Sequence, residues 1–380
     1  MTPAYDGAPI PLQMLEVAGD YREMGRATGE ALRPLIQGFV TGRLTALRAN
    51  LLAARQGSSD LFKKVADEGL RSLAQWDPNG FSELEACAAA AGVSTVDLYA
   101  AASLTDFRDV ILYGAEPFRG APWTSTAPAS DAEGCSSLAQ AGSSSGNGHL
   151  LCGQTWDLNP PDLDFVVALH RRPKSGPESW TITCAGCPAI VGLNAAGVYV
   201  GTTNIKTYGA VPAASYVSLI YRALRETTLE GAVECIASAP RSGAHTYLIA
   251  DAQHAVELET DTASIERRDL TATAPLCRTN HCLSATFTAK AAEAPSTSSL
   301  ARKQRLEAAA ATPLDIDALK TLFANREDGV DSLNRYPEDN QGTATNAVII
   351  YDSAARTLHV CRGPADRGAW HTLRLDTSCS

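Results

Sequence analysis

The chain has 380 residues, of which 45% are hydrophobic and 19% charged, with a formal net charge of -10. That balance excludes a disordered or fibrous chain, and an acidic surface without any clustered Lys and Arg excludes a protein held to nucleic acid by phosphate contacts. The length suits one large domain or two ordinary ones.

The opening segment "MTPAYDGAPIPLQMLEVAGDYREMG" has neither the basic start nor the apolar run of a secretory signal. No later stretch reaches the ~18 apolar residues of a membrane span, so a cytoplasmic protein without membrane contact is expected. From about Asp20 to Tyr113 the pattern is helical, with apolar residues three and four apart in "YREMGRATGEALRPLIQGFVTGRLTALRANLLAARQ". Two further helices, "SDLFKKVADEGLRSLAQW" and "STVDLYAAASLTDFRDVIL", each open on a serine suited to cap the first turn. Gly114 to Ala132, "GAEPFRGAPWTSTAPASDA", has the Gly, Pro, Ser and Thr content of a loop.

Short β-branched and aromatic runs then predict antiparallel strands at "CSSLAQA", "LLCGQTWDL", "DFVVALHRR", "SWTITCAG" and "AIVGLNAAGVYVGTTN". Helices are predicted at "ASYVSLIYRALRETT" and "LEGAVECIASA", and strands again in "HTYLIADAQHAVELET". A Ser-capped helix at "STSSLARKQRLEAAAA" and a Pro-opened one at "PLDIDALKTLFANR" precede the last strands, "NAVIIYD" and "TLHVCRG". Strand runs alternating with helix pairs predict an α+β fold in which helices cover antiparallel sheets.

Ten cysteines in this length fall well short of a disulfide scaffold. Cys184 and Cys187 form a C-x-x-C without the second pair or histidines of a zinc site, so no metal is expected. "GSSSG" at Gly142 to Gly146 matches G-x-S-x-G, but a turn and a strand follow where a nucleophile elbow on Ser144 needs a helix. His245, His254 and His281 are candidate general bases, but each sits singly in or beside a strand, where a structural role is the commoner one.

Cys135 follows Gly134 at the head of a predicted strand. A cysteine there can attack the preceding carbonyl, and glycine offers the least steric hindrance. Hydrolysis of the resulting thioester leaves Cys135 with a free α-amine whose ordinary pKa near ~8 suits it to take the thiol proton. Asp157, at the end of the next strand, is placed to orient that amine, and Asn204 and Asn280 carry amides able to donate to an oxyanion.

These residues carry a resemblance. "GDYREMGRATGEAL", "GCSS", "GQTWDL", "GLNAAGVYVGTTN", "RTNHCL", "SSLARKQRL" and "ATNAVIIYD" resemble, in order, the acyl-coenzyme A:6-aminopenicillanic acid acyltransferase family of cysteine N-terminal nucleophile enzymes. The resemblance implies an αββα sandwich made as a precursor and cut between Gly134 and Cys135. Residues 1–134 would form a mostly helical small subunit and residues 135–380 the catalytic large one, staying together as one domain with room for a higher homo-oligomer. It implies Cys135 as nucleophile, Asp157 beside its amine, Asn280 at the oxyanion, and Ser299 with Arg302 as the family's Ser-x-x-Arg motif, with Arg305 as the alternative arginine. Thr155 stands where the family commonly has Asn, so it and Asn204 are candidate rim contacts to substrate. The implied activity is amide hydrolysis or acyl transfer on a small molecule in specialised metabolism such as antibiotic biosynthesis, without a cofactor, though a coenzyme A thioester could be the donor. The contrasting expectation is an uncut relative acting as a binding or scaffold protein.

Overall fold

The computed structural model describes residues 5–53, 59–114 and 134–375. Strand β1 (Gln13–Gly19) leads into helices α1 (Tyr21–Ala31), α2 (Arg33–Ala53), α3 (Ser59–Trp76), α4 (Pro78–Ala91), α5 (Thr95–Ala102) and α6 (Leu104–Tyr113). Strands β2 (Ser136–Gln140), β3 (Leu151–Leu158), β4 (Val166–Pro173), β5 (Ser179–Cys184), β6 (Val191–Asn194) and β7 (Tyr199–Asn204) follow, then α7 (Tyr216–Ala223) and α8 (Leu229–Ala237). The remainder is β8 (His245–Ala250), β9 (Ala255–Thr260), β10 (Ile265–Asp269), β11 (Leu276–Arg278), α9 (Ala285–Thr288), α10 (Thr297–Ala310), α11 (Ile316–Phe323), β12 (Ala344–Asp352), β13 (Thr357–Arg362) and β14 (Trp370–Arg374). Apart from Gly114, the loop expected before Cys135 lies outside the described residues.

The strands form two sheets, one in the order β1-β4-β5-β6-β7-β8-β9-β10 and the other β11-β2-β3-β12-β13-β14. Among the described residues every pairing of these strands is antiparallel except β1 with β4. Helices α1, α7 and α8 pack on the larger sheet and α10 and α11 on the smaller, while β2 meets β7 between the sheets, so the layers run α, β, β, α. Across the middle the rings of Tyr199 and Tyr351 stack at 5.3 Å, and the Tyr351 hydroxyl donates to the Gly197 carbonyl at 3.0 Å. Sandwiching explains why β3 and β7 are buried at every residue and why their sequences lack polar alternation.

Local choices agree with this assembly. Asp20 and Glu23 form a reciprocal capping box at the start of α1. The two glycines of "MGRATG" let α1 lie directly on the α4 backbone, since a Cβ at Gly25 would come 2.1 Å from the Glu83 carbonyl oxygen and one at Gly29 2.3 Å from that of Cys87. Ser94 and Ser296 cap α5 and α10 as expected. At α11 the structure differs from the sequence reading: Asp315, not Pro313, sets the first turn by accepting from the Ala318 amide at 2.7 Å. Gln154 on β3 does a strand's work. The β6–β7 pairing stops at Val200, and beyond it the Gln154 amide accepts from Thr202 N at 3.0 Å and donates to Thr202 O at 2.8 Å.

Candidate active site

Strand β2 pairs with β3 in a register that sets Ser136 opposite Thr155. Continuing it two residues toward the N-terminus brings Gly134 opposite Asp157. There is no space for a side chain at 134: an added Cβ would come 2.8 Å from Asp157 Cβ and 3.0 Å from Arg335 Nε. The glycine therefore permits close packing of the Gly134–Cys135 peptide on a buried carboxylate and a buried arginine.

Arg302, on α10, reaches the same peptide. Its Nη1 donates to the carbonyls of Gly134 at 2.7 Å and Cys135 at 2.6 Å and to Ser136 Oγ at 2.8 Å, while Nη2 donates to Asn280 Oδ1 at 3.1 Å. Ser298, one helical turn earlier, accepts from Arg302 Nε at 3.1 Å and also from the Arg335 guanidinium. Both arginines are almost fully buried. Burial, and then the neighbouring charge of Arg335, push Arg302 down to about 9, which still leaves it cationic at neutral pH.

Asp157 is fully buried, and its Oδ2 accepts from the Thr155 hydroxyl at 3.0 Å while Oδ1 has no hydrogen-bond partner. Burial raises its carboxyl to about 6, against the opposing pull of Arg335, Thr345, Arg302 and Thr155. The Cys135 thiol is 3.6 Å from the Asp157 carbonyl oxygen and borders a small cavity of about 20 Å³. Trp156, Leu158 and Ile190 supply apolar wall there, and Thr202, Asn204, Thr105, Tyr216 and His245 polar wall.

The structure thus gathers Gly134, Cys135, Asp157, Asn280, Arg302 and Asn204. Asn280 Nδ2 donates to the Asn204 carbonyl at 3.0 Å, which leaves its second N–H for another acceptor. Thr155 is enclosed, accepting from the Ser136 amide and donating to Asp157, so it positions the carboxylate. Ser299 bonds Thr279 at 3.0 Å and His281 at 2.8 Å, tying α10 to the segment that carries Asn280. Arg305 is not brought to the thiol; it pairs with Glu327 and Asp328 at the surface.

Sequence reasoning missed Ser298, Arg335 and Thr345. Ser298 had a readable signal, since it lies four residues before Arg302 on one helix face; Arg335 and Thr345 arrive from a distant loop and strand with none. Ser144 lies in a short 3-10 turn inside the β2–β3 hairpin. Cys184 and Cys187 are buried, and among the described residues no group of three or more His, Cys, Asp or Glu could hold a metal ion. Among the same residues no helix is long and apolar enough to cross a membrane.

Comparison with known proteins decides the lineage. The acyl-coenzyme A:6-aminopenicillanic acid acyl-transferase family matches residues 143–367. The chain belongs to this family. The matched stretch holds Asp157, Asn280 and Arg302 and begins just after β2, so it does not include Cys135. Among solved structures, an N-acylethanolamine-hydrolyzing acid amidase ortholog of Caenorhabditis elegans is similar at 13% identity and TM-score 0.44, over 64% of this chain and 100% of that one. Penicillin V acylase from Agrobacterium tumefaciens is similar at 13% identity and TM-score 0.40, over 60% of this chain and 83% of that one. A mutant conjugated bile acid hydrolase from Clostridium perfringens shows 10% identity and TM-score 0.38, over 65% and 98%. The family match supports an enzyme of the acyltransferase kind.

Proposed function

We propose that the protein cuts itself between Gly134 and Cys135 and then uses Cys135 as an N-terminal nucleophile on a small amide. The observation that carries this reading is the arginine clasp: Arg302 Nη1 lies 2.7 Å from the carbonyl oxygen of Gly134, the oxygen on which charge would develop. In the cut, the Cys135 sulfur bonds to the Gly134 carbonyl carbon, the C–N bond breaks, and the nitrogen takes up the thiol proton. Water then hydrolyses the thioester, leaving a Gly134 carboxylate and a Cys135 α-amine beside Asp157.

In turnover the α-amine takes the thiol proton and the sulfur attacks the substrate carbonyl. Asn280 supports the oxyanion, the amine leaves with a proton, and the acyl group passes from sulfur to water or to a second amine. The two outcomes share one acyl-enzyme, so hydrolysis and acyl transfer differ only in which nucleophile reaches it. Substrates are small amides of specialised metabolism, antibiotic precursors included, with a coenzyme A thioester as a second kind of acyl donor and no resident cofactor. The fragments remain associated because α1 to α6 pack on the same core as the strands that follow, and the protein works in the cytoplasm.

Intact-mass analysis of purified protein tests the reading. Wild type should appear as two fragments and Cys135→Ala as one full-length chain, and incubation of the wild type with activated amides should add an acyl mass to Cys135. Splitting at Gly134 in Cys135→Ala refutes the mechanism, and an uncut wild type without acylation favours a binding or scaffold protein.

A further inference from the structure

In "RTNHCL" the proposed chemistry draws on Asn280 alone, yet two residues earlier Arg278 is 2% exposed, a cation enclosed by the fold. It ends β11, at the edge of the smaller sheet, opposite Ser137 of β2. From there its guanidinium reaches β9 of the larger sheet, where Nη2 donates to Oε1 of Glu257 and, at 3.2 Å, to Oε2 of Glu259. Its Nη1 turns back on the chain and donates to the His281 carbonyl at 3.1 Å. Glu259 holds the far end of the same turn: Oε1 accepts from the Leu283 amide at 2.9 Å and Oε2 from the Ser284 amide at 3.1 Å. Both glutamates are 3% exposed, and Arg268 of β10 supplies Glu257 with a second cation at 3.0 Å.

Two buried carboxylates and a buried guanidinium are a costly way to join two sheets, since well-packed apolar side chains of like volume often do so as well or better. What the charges add is direction. Three of the bonds end on backbone groups of residues 281–284, so that segment has one arrangement in which its buried partners are satisfied. Asn280 stands immediately before it, with Nδ2 on the Asn204 carbonyl and Oδ1 on Arg302, and a donor serves an oxyanion best when its position is set before charge develops. Ser137, across from Arg278, is two residues from Cys135, so the same guanidinium ties the asparagine's turn to the strand of the nucleophile.

Resting on the function proposed above, we infer that Glu259 and Arg278 are positioning residues: they fix the turn that presents Asn280 to the oxyanion, and so govern the rate of the chemical step without touching the substrate.

The test is a double-mutant cycle on the self-processed protein, with p-nitrophenyl esters of straight-chain acids as probes and rates expressed per Cys135 N-terminus. Asn280→Ala should lower kcat by about 100-fold, the worth of one oxyanion donor. Glu259→Gln, which keeps the shape but loses an acceptor, should lower kcat by about tenfold with KM little changed, the signature of a donor displaced by well under ~1 Å. Made in Asn280→Ala, the same substitution should change kcat by less than about twofold, because the donor it positions is gone. Arg278→Lys, which keeps the charge but not the fork, should behave alike. An equal fall in both backgrounds marks a merely structural role and overturns the inference, as does an unchanged kcat in Glu259→Gln. If neither variant folds, hydrogen exchange in the wild type decides: the Leu283 and Ser284 amides should exchange as slowly as those of β9, and exchange at the pace of an exposed loop overturns the inference. Those outcomes touch this inference alone, whereas no acyl mass on Cys135 from any ester, or wild-type kcat in Asn280→Ala, defeats the proposed function and this inference with it.

Discussion

Replacing Gly134 by alanine adds a single methyl group where the structure has no room. The new Cβ would sit 2.8 Å from Asp157 Cβ, 3.0 Å from Arg335 Nε and 3.1 Å from Arg335 Cδ. Carbon atoms rest comfortably at about 3.5–4.0 Å, so the peptide must shift by roughly 1 Å, or the carboxylate and arginine must yield. Overpacking of this kind costs about 1–3 kcal/mol. The functional loss should be larger in proportion, because the shifted atoms include the Gly134 carbonyl that Arg302 holds at 2.7 Å, and a 1 Å misplacement of reacting groups is worth about 100-fold in rate. Fragment appearance followed by electrophoresis from freshly refolded protein should therefore slow by about two orders of magnitude in Gly134→Ala. Thermal unfolding of Cys135→Ala with and without the added methyl measures the packing cost separately from the cut. Processing at the wild-type rate with an unchanged melting temperature would refute the packing described at this peptide.

Arg302→Lys keeps the charge but loses the fork that spans two carbonyls and Asn280, so self-cleavage should fall by about 100-fold, as read by intact mass; Arg305→Ala removes only exposed ion pairs and should change melting by about 1 kcal/mol or less. Self-cleavage should lose rate as pH falls below about 6, where the Asp157 carboxyl becomes protonated and loses the charge that would stabilise the amine released at Cys135. Because the folded protein raises this pKa, the linked stability is fully present below the ordinary carboxylate value of 3.8 and is lost as pH rises through about 6. Asp157→Asn should thus abolish cleavage yet gain on the order of 1–3 kcal/mol at pH 7, measured by urea unfolding against Cys135→Ala. Gln154→Leu strips Thr202 of partners for both its N–H and its C=O and should cost about 2–6 kcal/mol in the same assay.

The sequence made most of the core architecture readable, for identifiable reasons. Core-facing helices such as α3 and α5 repeat apolar residues at helical spacing, and the ordered motifs around Cys135, Asp157, Asn280 and Arg302 point to residues the fold brings together. Less visible were β1, β10, β11 and β14. "QMLEVAG" is an edge strand with most residues exposed, "IERRD" is almost wholly exposed and charged, and "LCR" is only three residues long, so none carries a hydrophobic period. Nor does any sequence signal join Asp106 to His245, 139 residues apart, or Arg335 to Ser298. Such pairs exist only because α6 packs against the start of β8 and the segment before β12 folds over α10. A histidine read singly in a strand gains a neighbour, and with it a chemical meaning, only in three dimensions.

N-terminal analysis of the larger fragment from freshly purified wild-type protein bears most directly on the central claim. The account predicts that this fragment begins at Cys135 with an unblocked α-amine and that no such fragment forms from Cys135→Ala. A larger fragment beginning at any other residue, or the same fragment arising from Cys135→Ala, would contradict it.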